Sequence, residues 1–259
     1  MRLKRYEGVS TPKTVVYIVL RVLVIGVLIW EIIGHNWMNV FTCVLVLILF
    51  MLPSVISRRF QIEFPNALEI IILVFIFAAN ILGEIAALYL YIPIWDSILH
   101  GINGFICAAF GFALIDLLNE EEKINLRLSP VFVSLVAFCF SMTIGVLWEF
   151  FEFSMDFFFH TDMQKDTWIT AIHSVELNET VLNVPKHIDI ESVYVNGEPL
   201  KDGARYLDIG LIDTMKDLFI NFIGAMVFSV FGWFYIKNRG RGFAANFMPK
   251  RKKPDGDTP

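Results

Sequence analysis

"PVFVSLVAFCFSMTIGVLWEFFEFSMDF", residues 130–157, carries no charged side chain before Glu149. A hydrocarbon core about 30 Å thick is crossed by roughly 20 apolar residues in a helix. Inside lipid, a helix satisfies every backbone N–H and C=O within its own segment. The stretch is long enough, so it predicts a membrane span. Five further apolar blocks meet the same test, at about 14–33, 36–55, 67–92, 97–118 and 214–236. Together they predict an all-α, polytopic membrane helix bundle of six transmembrane spans.

The composition agrees with that reading. The 259 residues are 56% hydrophobic and 18% charged, with 25 Phe, and the mean hydropathy is +0.61. A soluble domain would be about 45–50% apolar and about 25% charged. Cys43, Cys107 and Cys139 all fall in apolar blocks without metal-type spacing, so they read as buried thiols and not as disulfides. No Walker loop, CxxC pair or internal repeat is present, and nothing points to a nucleic-acid partner. The opening "MRLKRYEGVSTPK" is basic enough for a signal sequence. The apolar run after it ends in "WEIIGHNW" without a small-residue cleavage site, so we read an uncleaved first span.

Lys and Arg orient the bundle. Basic residues gather at the N-terminus (Arg2, Lys4, Arg5, Lys13), the second connection (Arg58, Arg59), the fourth (Lys123, Arg127) and the tail (Lys237, Arg239, Arg241, Lys250, Arg251, Lys252, Lys253). The first and third connections, "GHNW" and "YIPIWDS", have none. All the basic clusters fall on one side if both termini are cytoplasmic. The expected organisation is a basic N-terminus, 1–13, a membrane domain, 14–236, and a basic tail, 237–259. The tail would attract anionic inner-leaflet lipid, and its "KPDGDTP" end reads as disordered. The fifth connection, 158–212, becomes an acidic extracytoplasmic loop. Asn196-Gly197 within it signals a β-hairpin, because both residues tolerate positive φ. The flanking "KHIDIESVYV" and "EPLKDGARYLDI" then predict a small ribbon.

The remaining polar residues inside the spans form stripes. Glu84 lies about two turns below the outer end of the third span. The fourth opens with Asp96 and His100, followed by Asn103. The fifth carries Glu149, Glu152 and Asp156 near its outer end, and the sixth starts with Asp213, Asp217 and Asn221. Residues three or four apart share a helix face. Four helices thus offer these ten pocket candidates at one level in the outer half of the bilayer. Gly101, Gly104, Gly145 and Gly224 are placed to let the helices approach closely. A charged side chain at the bilayer centre costs roughly 2.5–3.5 kcal/mol on insertion scales. Clustered acids therefore call for a bound cation, a wet cavity or protonated carboxyls.

Blander readings stand beside this one. Asp96 and Asp213 suit helix N-caps. Asn221 suits an interhelical hydrogen bond, and Asp156 suits a solvated loop end. Glu149 and Glu152 have no capping role, since they lie near a helix C-terminus, where the dipole disfavours acids. Asp96, His100, Glu149, Glu152 and Asp217 form a ligand set suited to a divalent cation, Mg²⁺, Mn²⁺, Ca²⁺ or Zn²⁺. No HExxH motif is present, and no residue is assigned a catalytic role. Ser97, Ser154 and Thr214 are nearby hydroxyls, but a metal-activated water is the more economical nucleophile for any hydrolysis.

"WDSILHGINGFICAAFGFAL", "GVLWEFFEFSMD" and "LIDTMKDLFINFIGA" resemble the YjdF-type family of bacterial inner-membrane proteins over about 66–236. That resemblance implies a class and a compartment but no particular reaction. A more distant resemblance is to VanZ-like proteins, associated with glycopeptide resistance. Asp96, His100, Glu149, Asp217, Asn221, Gly224 and Ala225 match their pattern in order. Glu152 and the acidic insertion at 160–212 depart from it. The likeness implies a cell-envelope role. Three functions follow as expectations. The leading one is cation-dependent binding or processing of an envelope lipid or lipid-linked head group. The others are an ion- or proton-coupled transporter and a non-catalytic membrane scaffold.

Overall fold

Helix begins where the basic N-terminus gives way to Val, Ile and Leu. The computed structural model describes residues 11–119, 128–200, 205–238, 240, 241 and 243–251. Arg2, Lys4, Arg5, Lys123, Arg127, Arg239, Lys252, Lys253 and the "KPDGDTP" end lie outside the described residues. Among the described residues, six helical stretches are long and apolar enough to cross a membrane: Pro12–Ile33, Trp37–Arg59, Asn66–Ile85, Trp95–Ile115, Pro130–Phe159 and Leu211–Lys237. The protein is a multi-pass helical membrane bundle, as the block lengths predicted.

Local chemistry sets the boundaries. α1 (Thr11–Ile33) ends at Gly34, and His35 turns the chain with a φ of 58°. α2 (Trp37–Leu49) and α3 (Leu52–Phe60) make up the second span. Pro53 near the start of α3 has no N–H to complete the helical ladder, which accounts for the break at Phe50–Met51. β1 (Ile62–Glu63) leads to α4 (Asn66–Phe77), which runs into a π-helical segment at Ala78–Ile85. Asn80 Nδ2 donates to Ile76 O at 2.9 Å there. The third span was expected to reach residue 92. It stops at Ile85, and Ala87, with a φ of 57°, separates the one-turn helix α5 (Leu88–Tyr91). α6 (Trp95–Asn119), α7 (Pro130–Phe159) and α8 (Leu211–Lys237) complete the bundle.

The chain divides into two compact units, residues 1–146 with 217–259, and residues 147–216. In the first, α6 is the most buried of the spans. Its Ile106, Ala108, Ala109, Phe112 and Ala113 are buried, as are Leu68, Ile72 and Leu73 of α4 and Phe228 of α8. Phe105 meets Phe228 edge to face, with ring centroids 5.1 Å apart, a geometry favoured by the ring quadrupoles. The tail is part of this core. Met248 is fully buried, Phe247 lies 5.6 Å from Phe105, and β8 (Lys250–Arg251) pairs antiparallel with β1. Lys13 Nζ also bonds Glu69 at 2.5 Å. The start of α1, the α3–α4 region and the tail therefore meet on one face.

The second unit holds the end of α7, the start of α8 and short strand pairs. β5 (Tyr194–Val195) and β6 (Glu198–Pro199) flank Asn196 and Gly197, whose φ values are 54° and 87°. That is the expected hairpin. The wider ribbon is different. β3 (Ala171–Ser174) pairs with β4 (Lys186–Asp189), and β2 (Trp168–Ile169) with β7 (Tyr206–Leu207). The segments flanking the hairpin thus take their partners from 168–174, whose "WITAIHS" is rich in β-branched residues. Cysteines are free. Cys43 is buried, but Cys139 is exposed on α7 and so faces lipid, where a thiol behaves as a small hydrophobe.

Candidate functional site

Small residues bring α6, α7 and α8 together within the first unit. A Cβ on Gly224 would lie 2.0 Å from Gly101 O, and one on Gly104 would lie 2.3 Å from Asn221 O. One on Gly145 would lie 2.6 Å from Asn221 Nδ2. Only hydrogen fits at the first two contacts, where the neighbours are backbone atoms; at Gly145 the neighbour is the Asn221 side chain. Ser141 Oγ donates to Gly104 O at 2.7 Å, and Asn221 Nδ2 reaches Ser141 O at 3.5 Å. Asn221 is the interhelical hydrogen-bonder anticipated from its residue type. Its Oδ1 is buried and accepts no hydrogen bond from the described residues.

One turn before Asn221, Asp217 is 1% exposed and His100 is 6% exposed. His100 Nε2 lies 3.7 Å from Asp96 Oδ1 and 3.8 Å from Asp217 Oδ2. Asp96 and His100 are a turn apart on α6, while Asp217 comes from α8. One ligand atom from each of the three lies within 4.8 Å of the others. The imidazole distances exceed the roughly 2.7–3.2 Å of a good N–H···O bond. Two carboxylates and an imidazole so grouped are a set that could hold a metal ion. Asp96 serves α6 as a first-turn acid and also forms the open wall of this cluster.

Glu84 and Asn103 are not brought to that cluster. Glu84 sits exposed in the π-helical segment. The sequence placed it by its depth in the span, which does not say which way the side chain points. Asn103 Oδ1 accepts the Cys107 thiol at 3.5 Å, one turn along α6. One buried acid escaped the sequence reading. Glu31, 6% exposed near the end of α1, accepts Asn36 Nδ2 at 2.8 Å and Asn39 Nδ2 at 3.2 Å. A carboxylate followed by two Asn at five and eight residues was the available signal.

The second unit holds the other candidates. Glu149 and Glu152 are buried on α7, and Trp148 Nε1 donates to Glu152 Oε1 at 2.8 Å. Ser154 Oγ donates to Phe150 O, and Thr214 Oγ1 accepts from Gln164 Nε2. Asp156 organises the loop after α7. It accepts Met163 N at 2.7 Å, Gln164 N at 2.8 Å and Thr161 Oγ1 at 2.7 Å. Asp213 accepts Lys165 N at 2.8 Å and Lys216 Nζ at 3.0 Å. The acid that caps α8 is Asp208, which accepts Gly210 N and Ile212 N at 2.9 and 3.0 Å. Asp166 is crowded: burial, followed by the Asp162, Asp208 and Asp156 carboxylates, pushes its carboxyl up. Asp156→Ala is expected to free residues 161–164. Each hydrogen bond to a charged acceptor contributes about 1.5–3 kcal/mol, so limited proteolysis should cut this segment faster than in the parent chain.

The family described as "Predicted membrane protein (DUF2238)" matches residues 16–238. The YjdF-type resemblance is consistent with that match, and the VanZ-like one finds no support in it. No curated protein and no solved structure matches the chain.

Proposed function

We propose that this chain, which belongs to the family described as "Predicted membrane protein (DUF2238)", holds a divalent cation between Asp96, His100 and Asp217. The ion would engage the anionic head group of an envelope lipid or a lipid-linked molecule. The observation that supports this reading is the meeting of two carboxylates and an imidazole within 4.8 Å. An imidazole beside two carboxylates suits Zn²⁺ or Mn²⁺ better than Ca²⁺ or Mg²⁺. α6 contains no Lys or Arg, so a phosphate approaching this helix would need a metal as its positive partner. Glu149 and Glu152, three apart on α7, are proposed as metal ligands on the strength of their spacing alone. The distribution of basic residues supports cytoplasmic termini, the YjdF-type resemblance supports a bacterial inner-membrane location, and the tail is proposed to meet anionic inner-leaflet lipid.

The test is elemental analysis of the purified full chain carrying His187→Ala, which removes an exposed loop imidazole. Near-stoichiometric metal, lost in His100→Ala, is the expected result. Gene deletion should also change the lipid composition of the envelope. A chain without metal, together with unchanged lipids, overturns the proposal. A buried imidazole between two carboxylates also suits a proton relay, which keeps a proton-coupled transporter as a second reading. Vesicles reconstituted with the chain would then show a proton flux that Asp217→Asn abolishes. Absence of flux rejects that reading.

A further inference from the structure

A second set of metal-ligating side chains lies in the loop unit. His173 of β3 and His187 of β4 are directly paired across the antiparallel ladder. Side chains at paired positions project from the same face of a two-stranded sheet. Their ring centroids are 4.5 Å apart and tilted by 48°. His187 Nδ1 lies 3.2 Å from His173 Nε2 and 3.3 Å from His173 Nδ1. The other nitrogen, His187 Nε2, lies 3.1 Å from Asp189 Oδ1. Asp189 follows two residues later, so its side chain shares that face.

These contacts divide the work of the His187 ring. A carboxylate at Nε2 holds the ring proton there. Nδ1 is then left with its lone pair, aimed at the neighbouring imidazole. An outer carboxylate that orients the ring and raises its basicity is the usual support of a metal-binding histidine. The spacing is also right. Two nitrogens about 2.05 Å from a tetrahedral ion stand about 3.3 Å apart. His187 is half exposed and Asp189 more so, so an ion can enter and water can complete its coordination.

We propose that His173 and His187, with Asp189 orienting His187, form a surface site for a borderline divalent transition metal: Cu²⁺, Ni²⁺ or Zn²⁺. Imidazole suits those ions, while Mg²⁺ and Ca²⁺ prefer oxygen. The site shares no residue with the cluster proposed above and does not depend on that reading.

The test titrates Cu²⁺, the tightest binder of the divalent series, into the tag-free full chain in detergent. Paramagnetic resonance reports the number of nitrogen ligands. One equivalent of Cu²⁺ should show two imidazole nitrogens, and should do so equally in His100→Ala. His187→Gln and His173→Gln should abolish this signal. Asp189→Asn, which leaves both ligands in place, should weaken binding by about 10–100-fold, the usual effect of losing such an orienting partner. Three results would each overturn the site: a two-nitrogen signal that survives His187→Gln, one that disappears in His100→Ala, or no such signal at one equivalent. The last would mean the two rings only share a proton. All three loop side chains are exposed, so their substitution leaves the buried core untouched.

Discussion

Replacing Gly224 with valine is expected to prevent α6 and α8 from closing on each other. Even a single methyl group at this position would sit 2.0 Å from Gly101 O, 3.0 Å from Gly101 C and 3.1 Å from Phe105 N. These are backbone atoms of α6, and no rotamer change can move them aside. Overpacking ordinarily costs about 1–3 kcal/mol. Gly224→Ala should reach the top of that range, and valine should exceed it. With about 2–4 °C lost per kcal/mol in a chain of this size, the alanine variant should melt about 6–12 °C below the parent in one detergent. Gly26 of α1 is the control, because its Cβ would meet nothing within 4 Å. Gly26→Ala should be neutral, or stabilising by up to about 1 kcal/mol through helix propensity. Equal melting temperatures for Gly224→Ala and Gly26→Ala would contradict the close helix approach.

The second large effect is expected at Asp217. Its side chain is 1% exposed, so water cannot replace it as a ligand. Asp217→Asn keeps the shape and removes the charge. Divalent-cation affinity should then fall by more than the roughly 10–100-fold that loss of an outer-sphere partner costs. Asp96, with 23% side-chain exposure, has solvent to substitute for it, and Asp96→Asn should cost less. Isothermal titration with Zn²⁺ and Mn²⁺ in a His187→Ala background measures both. Asp96→Asn proving the more damaging of the two would reverse the order expected from burial.

The six spans were readable because length and apolarity are local properties of the chain. Asp96 and His100 were readable as neighbours because four residues make one turn. Placing Asp217 opposite them needed a tertiary fact, and the glycines on α6 and α8 hinted at it. Other features had no local sign. Glu84 was placed by depth alone, and the π-helical segment at 78–85 that leaves it exposed had no local sign. Asp156 and Asp208 bind backbone amides whose positions depend on the folded loop. The His173–His187 pair is separated by 14 residues, and the turn signal at Asn196-Gly197 lies outside that interval. Strand register there is decided by contacts that no short window of sequence contains.

The docked tail has a consequence for biogenesis. Met248 and Phe247 belong to the interior of the first unit, yet they follow the last span in the chain. They are therefore synthesised after all six spans. Insertion alone therefore leaves a bundle with an open seat beside Phe105 and Phe231. The tail can fold back and add its strand to β1 only once the last span has been made.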